Sequence, residues 1–533
     1  MTASQRWTMV AAVLGSSMVF LDGSIVNVAL RYIGYELPGT LVSTLEGQTY
    51  VVSGYLAVLA ALLVLAGALA DYYGRRRVFL LGLVGFAVTS ALCGLAPSLE
   101  ILVLARILQG ATGALLVPGS LAIITATFQG PERARAFGIW AAATSGTVVL
   151  GPIVGGLLVD TISWRAAFLI NLPLSALALW ATVRHMAETR AADASGRFDW
   201  LGAAIAVVAV GGLSFGVIRG QDREWQDPVA WAAFALGVVA TVAFPVLMAR
   251  RSNPLVPLGL FRSRAFATIN ASTLLIYSAL YTMLTVQALF LQGVLGYSAT
   301  AAGVTSLPVG VLLTLLSTRV GTLAGRIGAR PFLVAGPVLM ALGVLWLARI
   351  PATSEPWLLS PNDAATLVPP MSVLVDVAPY AILFGLGISL IVAPLTSTLM
   401  SSVPVARAGV ASAINNAVSR VGQPLVIAVI FVAVTGTFYA SLAEQVPGLD
   451  ASDPALRELV QPLNEPKPGT SDEVAAAATV ASTGAFHVAA IVAGVLLLAG
   501  AAVNAVGLRG GREAEAEGHE RGAGLGETGA GVG

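Results

Sequence analysis

Apolar residues in this chain run in long unbroken blocks, and polar residues gather in the short gaps between them. A block of about 20 apolar residues spans a bilayer as a helix. Fourteen such blocks are expected, at 8–31, 48–70, 78–96, 100–127, 137–159, 165–183, 200–218, 229–249, 266–292, 301–324, 332–349, 376–400, 409–437 and 480–507. Backbone polar groups in lipid have no water to bond, so each block must satisfy its own as a helix. The alternation of polar and apolar residues that marks a membrane barrel is absent. Composition agrees, with 11% charged residues and a mean hydropathy of +0.84. The expected fold is an all-α polytopic membrane protein with 14 spans.

Charge then sets the orientation. If the N-terminus is cytoplasmic, nineteen of the 29 basic residues fall in cytoplasmic gaps, seven in outer gaps or span edges, and three inside spans. The positive-inside rule places both termini in the cytoplasm and requires an even number of spans. The first block carries Asp22 near its middle and no small-residue cleavage site, so it reads as a retained helix and not as a secretory signal. The net charge of +1 gives no footprint for nucleic acid, and the single cysteine, Cys93, rules out an internal disulfide.

An internal repeat divides the chain. At an offset of 254 residues, Gly67, Ala70, Gly74, Arg76 and Gly82 match Gly321, Ala324, Gly328, Arg330 and Gly336. A second echo pairs Gly151-Pro152 with Gly422-Gln423-Pro424. Parallel repeats of a six-helix unit are a transporter design with the site at the interface of the halves. The expected organisation is a six-helix bundle over 1–183, a linker with two extra spans over 184–265, a second six-helix bundle over 266–507, and a disordered cytoplasmic tail over 508–533. The outer loop 438–478 is long and polar, with a short helix expected around Pro454 to Leu463.

Ordered motifs sit on these spans: L-D-G-S-I-V-N-V-A-L at 21–30, G-A-L-A-D-Y-Y-G-R-R-R at 67–77, R-I-L-Q-G-A-T-G at 106–113, G-P-I-V-G-G at 151–156, W-R-A-A-F-L-I-N-L-P at 164–173 and A-S-A-I-N-N-A-V-S-R at 411–420. Together they resemble the major facilitator superfamily, and within it the fourteen-helix drug:proton antiporters. The resemblance implies two six-helix bundles plus two inserted helices, a plasma-membrane location and export by alternating access. It departs at Arg31, where the family usually has proline, and at 301–324, where some exporters of multivalent cations carry an acid.

Candidate residues follow from both readings. The resemblance makes Gly67, Asp71, Gly74, Arg75 and Arg76 a conformational latch between the halves; the bland alternative is that the arginines only anchor topology. In the 137–159 span, Ala143, Thr147, Gly151 and Gly155 recur every four residues, a face on which another helix packs closely. Pro152 removes a helical backbone bond there. With Gly156 the set matches the bend typical of antiporters.

Asp22 is the acid deepest in a span. An ionisable group inside the membrane is by default a functional hypothesis. Removal from water disfavours the charged form of any carboxyl, which brings proton exchange within reach of neutral pH. The alternative is a hydrogen-bonded structural acid. Arg106 falls at a similar depth, and the resemblance assigns its position to proton coupling; a tight pair would oppose proton capture and must separate in the cycle. Candidate cavity residues are Asn27, Tyr55, Trp140, Asn171, Tyr277, Tyr281, Gln287, Phe384, Asn415 and Arg420.

No phosphate-cradling G-x-x-x-x-G-K-S/T sequence occurs, and the one lysine, Lys467, lies in the outer loop, which argues against an ATP-driven pump. Three histidines and one cysteine without metal spacing argue against a metalloenzyme. No cofactor is expected. The expectation is a monomeric proton-coupled exporter of amphiphilic drugs, neutral to monocationic. The alternatives are a facilitator of a small metabolite and a non-transporting membrane sensor.

Overall fold

The computed structural model describes residues 1–190, 198–360, 362–403 and 408–508, with some side chains among them left out, Asp71 included. The segment 191–197 and the expected tail beyond residue 508 lie outside the described residues. Among the described residues, fourteen long helical segments follow one another: α1 (Ala3–Glu36), α2 (Thr44–Tyr73), α3 (Arg75–Gly94), α4 (Leu99–Thr127), α5 (Gly130–Thr161), α6 (Ala166–His185), α7 (Trp200–Asp222), α8 (Pro228–Arg250), α9 (Arg264–Val294), α10 (Ala299–Ile327), α11 (Arg330–Leu347), α12 (Val373–Ser401), α13 (Ala408–Gln445) and α14 (Asp472–Gly507). Each overlaps one predicted block, and the described residues hold no strand. In the outer loop, the short helix runs Pro454–Leu459.

The sequence repeat is also a repeat of geometry. Gly74 and Gly328 end α2 and α10 with φ of 108° and 94°, a region that only glycine enters freely. Each donates its N–H to the alanine four residues back, Ala70 or Ala324. The matched arginines act alike too. Arg76 Nη2 donates to Val183 O at 2.9 Å and Arg330 Nη2 to Ala505 O at 2.9 Å, each holding the last turn of its bundle's sixth helix, α6 or α14. The 151/422 echo has a common cause: a side chain at Gly151 would meet the Ser24 hydroxyl, and one at Gly422 the Ser278 hydroxyl. Ser24 and Ser278 are themselves 254 residues apart, on α1 and α9.

The inserted helices pack on each other through Gly212, Gly216 and Gly237, where backbone meets backbone. α7 also touches both halves, and Ser214 Oγ donates to Pro424 O at 2.7 Å. α8 keeps Leu236, Val239 and Val242 more than half exposed, a surface suited to lipid.

Hydrogen bonds and ion pairs join the halves at mid-depth and at the end opposite the termini. Asp160 at the end of α5 accepts from the N–H groups of Ala299 (3.1 Å) and Thr300 (2.7 Å), the first turn of α10. The outer loop reaches across as well: Asn464 exchanges amide hydrogen bonds with Gln48, Gln461 Oε1 accepts from Leu45 N at 2.8 Å, and Glu465 pairs with Arg31. Below them the small-residue face of α5 is used twice. Gly155 lies against Ile25 and Val28 of α1, and Gly156 against the backbone of Ala299 and Thr300.

Candidate functional site

Asp22 and Arg106 meet inside the first bundle, 0% and 1% exposed. Asp22 Oδ2 accepts from Arg106 Nη1. Oδ1 accepts from Gln109 Nε2 at 3.1 Å and Asn171 Nδ2 at 3.3 Å. Arg106 Nε donates to Val51 O at 3.0 Å, and the guanidinium lies 4.0 Å above the Tyr55 ring. Ser90 Oγ accepts from both Gln109 and Asn171 and donates to Phe168 O at 2.9 Å. Five helices, α1 to α4 and α6, therefore contribute to one buried polar network. Such a buried ion pair is tolerable because nearly every lone pair and proton is bonded.

A separate cavity of ≈ 130 Å³ lies between the halves. It is lined by Ser24, Asn27 and Val28 of α1, Pro152 of α5, Leu284 and Gln287 of α9, Val309 of α10, and Tyr380 and Phe384 of α12, among others, all uncharged. Asn27 Oδ1 accepts from Thr285 Oγ1 at 2.8 Å and so ties α1 to α9. Drug-sized pockets enclose roughly 300–1,000 Å³, so a bulky substrate needs the halves farther apart than they are here.

Of the ten residues expected to line the cavity, only Asn27, Gln287 and Phe384 do so. Tyr55 and Asn171 belong to the Asp22 network instead. Trp140 donates to Ser16 Oγ at 2.9 Å within the first bundle. Asn415 bonds Asn270 (3.2 Å) and Thr273 (3.0 Å) within the second. Tyr277 and Tyr281 pack together on α9, ring centroids 6.1 Å apart, below the cavity residues Leu284 and Gln287 of the same helix. An embedded polar or aromatic residue declares its depth in the sequence but not its bearing around the helix, and these six faced inward to their own bundles or past the cavity.

Arg420 on α13 is 5% exposed and lies over the Phe20 ring of α1 at 5.3 Å. No ion pair or hydrogen bond reaches its guanidinium among the described residues, and Nε is buried without a partner. A cation–π contact contributes about 0.5–2 kcal/mol, whereas burying an ion costs several kcal/mol.

The backbone after Gly74 in the expected latch is held from within the same half. Glu188, in the linker after α6, accepts from Arg76 N (3.1 Å) and Arg77 N (3.2 Å), and Thr189 O accepts from Arg75 N at 2.9 Å. A carboxylate at the start of α3 satisfies helix N–H groups and the helix dipole together. A side chain at Gly74 would strike that carboxylate. Gly67 packs near Pro118 of α4, and the Asp71 side chain lies outside the described residues.

Sequence reasoning missed Gln109, Ser90, Tyr380, Glu188 and Glu46. Gln109 was within reach, three residues from Arg106 and thus on its face. Glu46, 0% exposed, accepts from Tyr50 Oη at 3.0 Å, with Arg219 Nη1 of the inserted pair 3.8 Å away. Being two residues from the start of α2, it reads in the sequence as a helix cap.

Two bundles repeated in sequence and geometry, with a cavity at their seam, are a transporter's arrangement. Residues 12–427 match the Major Facilitator Superfamily. The chain belongs to that superfamily. It is 37% identical to the multidrug resistance protein Stp of Mycobacterium tuberculosis, over 81% of this chain and 76% of that one. It is 33% identical to a probable actinorhodin transporter of Streptomyces coelicolor, over 85% of this chain and 76% of that one. Among solved structures it resembles a bacterial homologue of the human lysosomal transporter Spinster, with a TM-score of 0.62 at 17% identity, covering 95% of this chain and 97% of that one. This major facilitator is a multi-pass protein of the cell membrane and a transporter, not an enzyme.

Proposed function

We propose that this major facilitator exports amphiphilic drugs or antibiotics in exchange for protons, by alternating access. The relatives support the cargo class: one is named for multidrug resistance and another as an actinorhodin transporter. The observation that carries the coupling is the fully buried Asp22–Arg106 pair beside the α1 face that lines the cavity. Both termini face the cytoplasm, in keeping with the arginine distribution.

Arg106, Gln109 and Asn171 all bond to the Asp22 carboxylate. Proton uptake therefore requires the pair to open. α1 also carries Ser24, Asn27 and Val28 into the cavity, so a shift of α1 when cargo enters moves Asp22 relative to Arg106 on α4. Loss of the ion pair on protonation and its recovery on release couple the two events. The 67–77 loop acts at the termini end and closes when the opposite end opens. The uncharged cavity lining suits an apolar body with one polar face and is ill-suited to a dication.

Inverted membrane vesicles test this reading. With an imposed proton gradient, accumulation of an amphiphilic drug is expected, and Asp22→Asn should abolish its dependence on the gradient. Gradient-driven accumulation that persists undiminished in Asp22→Asn would remove Asp22 from the coupling step.

A further inference from the structure

We propose that Arg420 receives the acidic group of the exported compound, so that the cargo is a carboxylic acid or acidic phenol with a bulky apolar body. The assignment rests on the export reading above and replaces the expectation of a neutral to monocationic cargo.

Arg420 projects from α13 of the second half onto Phe20 of α1 in the first, so it sits on the seam that alternating access must open. It is 5% exposed, its Nε is buried without a partner, and no carboxylate pairs with it among the described residues. Asp22 is the nearby acid: Tyr55 lies within electrostatic reach of Asp22, Arg106, Arg420 and the Tyr281 hydroxyl. Yet Asp22 already accepts from Arg106, Gln109 and Asn171. Arg106 thus answers the charge of Asp22, and no carboxylate among the described residues answers that of Arg420.

The place is reachable from the cavity. Phe20 is one turn from the cavity residue Ser24, about 6 Å along α1. Tyr281 is three residues from the cavity residue Leu284 on α9. A ligand whose apolar body lies against Leu284, Val309 and Phe384 can therefore extend an acidic head to the guanidinium. Guanidinium is the side chain matched to such a group, because its fork bonds both oxygens of a carboxylate at once.

Three probes with one apolar body decide the matter: 1-pyrenebutyric acid, its methyl ester and 1-pyrenemethylamine. Binding of each to the full chain in nanodiscs is read by fluorescence. The wild type should bind the acid about tenfold more tightly than the ester or the amine. Arg420→Gln should erase that preference and leave ester binding within about twofold, and Arg420→Lys should keep part of it. Equal weakening of acid and ester by Arg420→Gln, or a wild type that prefers the amine, overturns the assignment. The wild-type comparison stands even if the Gln variant does not fold. In inverted vesicles, gradient-driven movement of ester or amine but not acid sinks this proposal and spares the export reading. No gradient-driven movement of any probe counts against export, and the nanodisc binding still judges Arg420.

Discussion

Arg106 holds Asp22 from within the same bundle through Nη1, which also donates to Gln109 Oε1, while Nε donates to Val51 O. Neither side chain lines the cavity between the halves, although Ser24 and Asn27 of the same helix as Asp22 do. Removing one partner of such a pair leaves a buried charge. Arg106→Gln is expected to destabilise the protein by about 3–5 kcal/mol. Adding Asp22→Asn should recover most of the loss, because the stranded carboxylate is gone. Thermal unfolding of the detergent-solubilised single and double variants measures this; an additive double variant would mean that the two side chains do not act as a unit.

Gly74 and Gly328 have matching backbones but different surroundings, which separates strain from collision. Alanine at either position incurs backbone strain of about 1–3 kcal/mol. At Gly74 the new methyl also strikes Glu188, whereas nothing lies within 4 Å at Gly328. Gly74→Ala should therefore be the more destabilising of the two, and Glu188→Ala should be less harmful in the Gly74→Ala background than alone. Equal losses for the two glycine variants would show that the linker yields freely.

Gly156 admits the backbone of Ala299 and Thr300 from the opposite half. Gly156→Val should wedge that seam, with a packing penalty of about 1–3 kcal/mol and reduced transport. Labelling of a cysteine placed at Thr300 should become faster, while buried Cys93 stays unreactive. Unchanged labelling would mean that the halves absorb the wedge by repacking.

The far end is closed by side chains of the outer loop. A short thiol-reactive cross-linker joining Gln48→Cys to Asn464→Cys should form in this conformation and stop transport, because Gln48 and Asn464 sit on opposite halves and are hydrogen-bonded at 2.8–3.0 Å. Loss of the linkage with a reducible reagent should restore activity. Full transport by the cross-linked protein would show that this end need not part.

The fourteen helices, the twofold repeat and the similar depth of Asp22 and Arg106 are legible in the sequence, whereas their contact is not. Span length and apolarity are imposed on each helix separately by the bilayer, and depth follows from counting residues along a straight helix. Bearing is another matter. Asn415 and Gln287 are both amides inside their helices, yet one bonds Asn270 inside its bundle and the other lines the cavity. Nothing local to either residue distinguishes them, because the rotation of a helix is set by what packs against it.

Glu188 and Arg420 mark the same boundary from two sides. Glu188 is a surface acid in a polar linker until the chain returns and lays it on the first turn of α3, a contact spanning 112 residues. Arg420 is visibly embedded in its span, but its want of an anion becomes evident only when the neighbouring helices arrive without one. Hydropathy and charge order thus prescribed the helices, their number and their repeat, since these answer to solvent one segment at a time. Which polar groups meet, which remain unmatched and where the cavity opens came from the packing of helices, since those depend on neighbours distant in the chain.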